Sequence, residues 1–141
     1  MTVKQVFEEA YRAQHRNEIA KRKAWLSLDE RLKDTFVERL FGGELQGWLI
    51  SFDDEAHGIK MTAYKAAESD SAKKVIVTIN DDWPVDDKRV VIKGEIDGIR
   101  YVLEQSHLPM AVDAPPYQIL IDKVARAIAT GCAIVDGRNG A

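Results

Sequence analysis

Features that mark several specialised protein classes are scarce in this sequence of 141 residues. The single cysteine, Cys132, excludes an internal disulfide framework and a zinc site built from cysteines. No apolar run approaches the roughly 18 residues that a membrane-spanning helix requires. The first residues carry acidic side chains where a secretory signal would have an apolar segment. We therefore expect a soluble cytoplasmic protein that does not enter a membrane.

The composition is that of an ordinary globular protein. Hydrophobic residues make up 45% of the chain, charged residues 30%, and the net charge is −3. A chain of this length predicts a single α+β domain over residues 1–135, with a flexible C-terminal tail at 136–141. The small negative charge argues against strong nucleic-acid binding by the chain as a whole.

Two helices are predicted before the first strand. Thr2 and Gln5 form a capping-box pattern, and apolar residues at helical spacing follow from Val3. A polar stretch over 14–18 leaves open either one helix to about residue 25 or a break near Asn17. Ser27 with Glu30 is a second capping box, so a further helix is expected from there to the glycines at 42 and 43.

Four stretches of alternating apolar and polar residues, and one stretch over 75–79 that is apolar on both faces, then predict five strands. Short connections would join them into an antiparallel meander. A C-terminal helix is expected after Pro116, ending at Gly131, and residues 133–135 have the composition of a short edge strand. The predicted fold class is therefore α+β, with two N-terminal helices, a five-stranded antiparallel meander and a C-terminal helix packed on one face.

The last two strands carry the strongest local signal. Asp97-Gly98 lies between two alternating runs and predicts a two-residue type I′ turn. This turn implies a register in which the following residues face each other: Ile96 and Ile99, Glu95 and Arg100, Gly94 and Tyr101, Ile92 and Leu103. The Tyr101 ring is then expected to lie over the gap at Gly94.

An acidic loop around Trp83 is the first candidate for function. The aromatic side chain is surrounded in sequence by Asp81, Asp82, Asp86 and Asp87. A large aromatic anchor with charges around it is typical of protein-binding loops, so these five residues are predicted to bind a partner. The alternative is that Trp83 folds over the sheet edge while the acids keep the loop in water.

Two further surfaces are candidates. A curved sheet holding a helix often encloses a ligand cavity, which the aromatic residues Trp48, Phe52, Tyr64 and Tyr101 are placed to line. Basic residues in the first helix, Arg12, Arg16 and Arg22, indicate a face that would bind phosphates weakly, unless it is simply a solvated helix face.

Catalytic and metal-binding motifs are not recognisable in the sequence. His57 lies beside three carboxylates, but a solvated turn explains this cluster better than a metal site does. Ser106 and His107 are adjacent and would point apart, while Cys132 has the apolar neighbours of an unreactive thiol. We therefore predict no catalytic residue, metal or cofactor.

The leading hypothesis is a small binding protein that acts through protein–protein contacts, as an adaptor, inhibitor or accessory factor, and that forms a homodimer. One alternative is a small-molecule-binding domain, with or without enzymatic activity, whose cavity lies between sheet and helices. The other is weak nucleic-acid binding through the basic first helix.

Overall fold

The computed structural model describes residues 1–38, 47–55, 58–65, 73–82, 86–108 and 116–139. This part of the chain contains an N-terminal helix, five strands and a C-terminal helix, so the α+β class is confirmed. The elements in chain order are α1 (Val3–Glu38), β1 (Trp48–Glu55), β2 (Gly58–Lys65), β3 (Val75–Asp82), β4 (Asp86–Ile96), β5 (Ile99–His107) and α2 (Pro116–Asn139).

The prediction of two N-terminal helices is wrong, because α1 is continuous from Val3 to Glu38. The capping box at its start is present, with Thr2 N donating to Gln5 Oε1 (2.9 Å) and Gln5 N donating to Thr2 Oγ1 (3.2 Å). Ser27 lies inside the helix. No proline or glycine occurs within α1, and the residues of its polar stretch are tolerated in helices, so nothing local breaks the hydrogen-bond ladder.

The sheet is an antiparallel meander in the order β1-β2-β3-β4-β5, as predicted. Alternate side chains along β2, β3 and β4 are buried on one face, and both helices contribute residues to the core on that face. The buried strand residues include Ile59, Met61, Val75, Val77, Ile79, Val90 and Ile92. The helices supply Leu28, Leu32, Phe36, Tyr117, Leu120, Val124 and Ile128.

The turn between β4 and β5 has the predicted form. Asp97 and Gly98 both have positive φ, 52° and 77°, as a type I′ turn requires. The two pairs nearest the turn also match the predicted register, Ile96 with Ile99 and Glu95 with Arg100.

Beyond these pairs the predicted register is wrong by one residue. Between the pairs Glu95–Arg100 and Gly94–Val102, β4 advances one residue and β5 advances two, so Tyr101 is the extra residue of a β-bulge. Leu103 therefore pairs with Lys93 instead of Ile92 and turns to the open face, where it is 51% exposed.

Tyr101 nevertheless lies against Gly94, as predicted. A Cβ atom added at Gly94 would come within 2.6 Å of Tyr101 Cζ, a distance that only a glycine avoids. The Tyr101 hydroxyl donates a hydrogen bond of 2.6 Å to the Ala127 carbonyl oxygen of α2. The bulge thus directs this side chain toward α2, which is a common structural use of an inserted residue.

We expect Gly98→Val to lower the free energy of unfolding by about 1–3 kcal/mol, because a β-branched residue resists positive φ. A Cβ atom there would meet nothing within 4 Å, so the effect would come from the backbone alone. Urea unfolding measures it, and Gly98→Asn is the matched control because asparagine tolerates this conformation. Equal stability of Gly98→Val and wild type would contradict the assigned turn.

The C-terminal helix is longer than predicted. It continues through residues 133–135, where a strand was expected, and through 136–139, which were expected to belong to a flexible tail. Val135 is buried in the core, and Asp136 is held by Lys65 of β2, so tertiary contacts stabilise these last turns. Residues 140 and 141 lie outside the described part of the chain.

Candidate functional site

The N-terminal half of α1 exposes an apolar stripe. In the C-terminal half, one face of the helix is buried at Lys21, Ala24, Leu28, Leu32 and Phe36. Before Lys21, apolar side chains are in water instead: Val3 is 87% exposed, Phe7 70% and Tyr11 61%. We call residues 3–20 the α1 arm.

The exposed stripe and the buried face are one continuous surface. An α-helix turns about 100° per residue, and counting back from Lys21 in steps of three or four leads to Asn17, Gln14, Ala10, Phe7 and Val3. The face that contacts the sheet therefore continues for about 27 Å along the arm at 1.5 Å per residue. Among the described residues, this part of the face has no apolar partner that buries it.

The charges of the arm balance. Its basic residues are Lys4, Arg12 and Arg16, and its acidic residues are Glu8, Glu9 and Glu18. Arg12 lies 3.9 Å from Glu8, one turn earlier. Arg22 lies roughly 80–120° around the helix from Arg12 and Arg16, so the three predicted basic residues do not share one face.

A buried ion pair holds the base of the arm. Lys21 Nζ lies 3.5 Å from Asp81 Oδ2, and these side chains are only 4% and 12% exposed. Asp81 was predicted to contact a partner, but it lies in β3 and contacts α1. Asp82 Oδ2 is 3.8 Å from an Arg89 nitrogen of β4.

The predicted acidic loop is therefore shorter than expected, since β3 includes Asp82 and β4 begins at Asp86. Trp83 lies outside the described residues, as do the side chains of Asp86 and Asp87. Their role in partner binding stays a prediction. Because Asp81 contacts Lys21, the C-terminal end of β3 lies close to the base of the arm.

A cavity of about 410 Å³ lies between the end of α1, the edge strand β1, its neighbour β2, and α2. Its walls are mainly apolar, and two charged residues of α2 belong to its lining. The lining residues are Phe36, Trp48, Ile50, Ala63, Asp122, Ala125, Arg126, Ile128, Ala129 and Cys132.

Of the four aromatic residues predicted to line a cavity, Trp48 does so and the other three lie elsewhere. Phe52 is partly buried, with Lys33 Nζ 5.9 Å from its ring. Tyr64 pairs with Leu49 and alternates with buried Ala63, which places it on the open face. Tyr101 is turned toward α2 by the bulge, for the reason given above.

Asp136 fixes Trp48 beside the cavity. It accepts a hydrogen bond from Trp48 Nε1 (3.2 Å) and lies 2.5 Å from Lys65 Nζ. Hydrogen bonding to Lys65 holds the pKa of Asp136 below its ordinary value, in opposition to partial burial, and the Trp48 bond adds to the effect. The indole is thereby kept in one orientation against the cavity.

Cys132 is an unreactive group in this wall. Burial raises the pKa of its thiol to about 12, and the negative charge of Asp136 adds to the increase. The thiol is therefore protonated at neutral pH and is a poor nucleophile.

Other catalytic and metal-binding arrangements are not seen within the described ranges. These residues contain no group of three histidine, cysteine or acidic side chains placed to hold a metal ion, and His57 lies outside them. Ser106 is buried whereas its neighbour His107 is exposed, so the two side chains lie on opposite faces of β5. Neither α1 nor α2 is long and apolar enough to cross a membrane.

Comparisons with protein-family models, curated proteins and solved structures find no match to this chain. The candidate sites therefore rest on geometry. Sequence reasoning found the Val3–Tyr11 stripe as a helix pattern but not as a surface. It missed Asp122 and Arg126, which lie on an ordinary solvated face of α2 and carry no sequence signal.

Proposed function

We propose that this chain is a small binding protein that acts through protein–protein contacts, as an adaptor, inhibitor or accessory factor, and that the α1 arm is its contact surface. One observation carries the proposal. Val3, Phe7 and Tyr11 are 61–87% exposed on the same helix face that the core buries further along α1.

The apolar area of the arm favours burial against a partner. With about 200 Å² for a fully exposed aromatic side chain, Phe7 and Tyr11 leave about 260 Å² in water at 70% and 61% exposure. Covering this area stabilises a complex by about 6.5 kcal/mol at 25 cal/mol per Å². Loss of translational and rotational freedom on association offsets a large part of it.

The spacing of the apolar residues defines how a partner would bind. Val3, Phe7 and Tyr11 recur every four residues, which is the pattern of a helix that lies in an apolar groove. The balanced charges of the arm favour a protein partner over an anionic polymer or an anionic membrane surface. A second copy of this chain carries a matching stripe, so a homodimer is the first complex to test.

The expected result is that Phe7→Glu/Tyr11→Glu abolishes association, because two carboxylates replace the exposed anchors. Sedimentation velocity of the purified protein at micromolar concentration measures this. Arg12→Gln/Arg16→Gln is the matched control, since it changes the net charge by the same −2 but leaves the stripe intact. It should associate as wild type does.

If wild type sediments as a monomer, the partner is a different chain. Tagged wild type, Phe7→Glu/Tyr11→Glu and the arginine control are then compared by affinity capture from the source cells. Capture of the same proteins by all three would refute the arm as the contact surface. Adding Trp83→Ala with Asp82→Asn and Asp86→Asn to the comparison tests the predicted loop in the same way.

A further inference from the structure

We propose that the cavity beside Trp48 binds a small amphipathic carboxylate, with its hydrocarbon body between α2 and strands β1 and β2 and its carboxylate at Arg126. This site lies beside the C-terminal end of α1 and along the middle of α2, away from the α1 arm. The inference is independent of the proposed protein-binding function.

The cavity exists because α2 has small side chains where it lies opposite the large side chains of α1 and β1. Ala125, Ala129 and Cys132 recur at helical spacing along α2, and they share the cavity lining with Phe36 and Trp48. None of these three is large enough to fill the space between α2 and β1. The mainly apolar walls favour an apolar occupant.

The volume suits a small ligand. About 410 Å³ lies within the usual range of roughly 300–1,000 Å³ for ligand cavities, toward its lower end. A saturated chain of roughly ten carbons, or an acid with one or two aromatic rings, is of the appropriate size.

Arg126 determines the charge of the ligand. Its side chain is exposed and lines the cavity. Within the described ranges, no carboxylate or other acceptor contacts the Arg126 guanidinium. A guanidinium group binds a carboxylate through two parallel hydrogen bonds, so a ligand carboxylate suits this position. Asp122, one turn earlier, already accepts a hydrogen bond of 2.7 Å from Gln118 Nε2.

Asp122 opposes an anionic ligand because its charge lies close to the same opening. The Asp122 carboxylate therefore lowers the affinity of the cavity for an anion, and substituting this residue removes the effect. Asp122→Asn should tighten binding of an anion and weaken binding of a cation. The two residues thus give opposite, separately testable effects.

The test is calorimetric titration with decanoate, decanol and decylamine, each below its micellar concentration. Wild type should bind decanoate about tenfold more tightly than decanol, which corresponds to 1.4 kcal/mol, and decylamine least of all. Arg126→Gln should remove the preference for decanoate and leave decanol binding unchanged. Because Trp48 lines the cavity, the tryptophan emission should change over the same titrations, and Trp48→Phe should remove this change.

A pair of alanine substitutions locates the bound chain. Ala129→Phe places a ring in the cavity and should abolish binding, whereas Ala133→Phe, one turn further along the same helix and outside the cavity lining, should leave it unchanged. The proposal is overturned if none of the three compounds binds, if decylamine binds best, or if Ala129→Phe still binds decanoate. Phe7→Glu/Tyr11→Glu should bind decanoate as wild type does, because the α1 arm lies apart from the cavity. Ligand binding therefore tests the cavity even if the arm binds no partner.

Discussion

Replacing Gly131 by leucine is expected to lower the free energy of unfolding by about 3 kcal/mol, at the upper end of the range for overpacked cores. A Cβ atom at this position would overlap the Tyr101 hydroxyl and Val75 Cγ1. Tyr101 cannot move aside easily, because its ring also lies against Gly94 and its hydroxyl is bonded to Ala127. Helix α2 would have to move away from the sheet.

Urea unfolding of Gly131→Leu measures this effect, and the same helix offers a control. Gly137 is also within α2, but a Cβ atom there would meet nothing within 4 Å. Gly137→Leu should therefore raise the stability by up to about 1 kcal/mol, since leucine is the better helix former. If both variants changed stability in the same direction, close packing at Gly131 would not be the cause.

Asp81→Ala is expected to cost about 3 kcal/mol, because it removes a carboxylate 3.5 Å from the buried Lys21 ammonium. The main part of this cost is the positive charge left in a buried position, not the lost attraction. Lys21→Met in the same background should therefore recover part of the stability. A double-mutant cycle on these two residues should give a coupling energy above about 1 kcal/mol.

The control for this cycle is an exposed pair on the same helix. Glu8 and Arg12 lie 3.9 Å apart with side chains 42% and 68% exposed, so Glu8→Ala should change stability by less than about 0.5 kcal/mol. Additive effects of Asp81→Ala and Lys21→Met would show that the two charges do not interact. Loss of the pair should also loosen the base of the arm, which hydrogen exchange in residues 15–25 would detect.

Features that depend on neighbouring residues were predictable from the sequence. The Asp97-Gly98 turn requires only two residues with positive φ, and the Thr2–Gln5 capping box requires only two side chains within one helical turn. The pattern of apolar residues likewise predicted five strands, and the short connections between them predicted their antiparallel order. Each of these signals depends only on neighbouring residues, so tertiary contacts do not change it.

Element boundaries were less predictable, because competing local signals are decided by tertiary contacts. Ser27 is a capping residue in sequence but lies within a helix held by Ala24 and Leu28 in the core. The register of β5 changes at Tyr101 because this side chain reaches α2. Residues 136–139 are helical because Asp136 bonds to Lys65 and Trp48, both distant in sequence.

The order of residues along the chain defines which faces of the helices and strands are apolar, but not which of these faces are covered. Val3, Phe7 and Tyr11 follow the same helical period as Leu28, Leu32 and Phe36, and only the position of the sheet decides that the first three remain in water. The cavity at Trp48 likewise arises where small residues of α2 meet β1. Periodicity is a property of one segment, whereas burial requires a second surface, and the tertiary structure alone provides it.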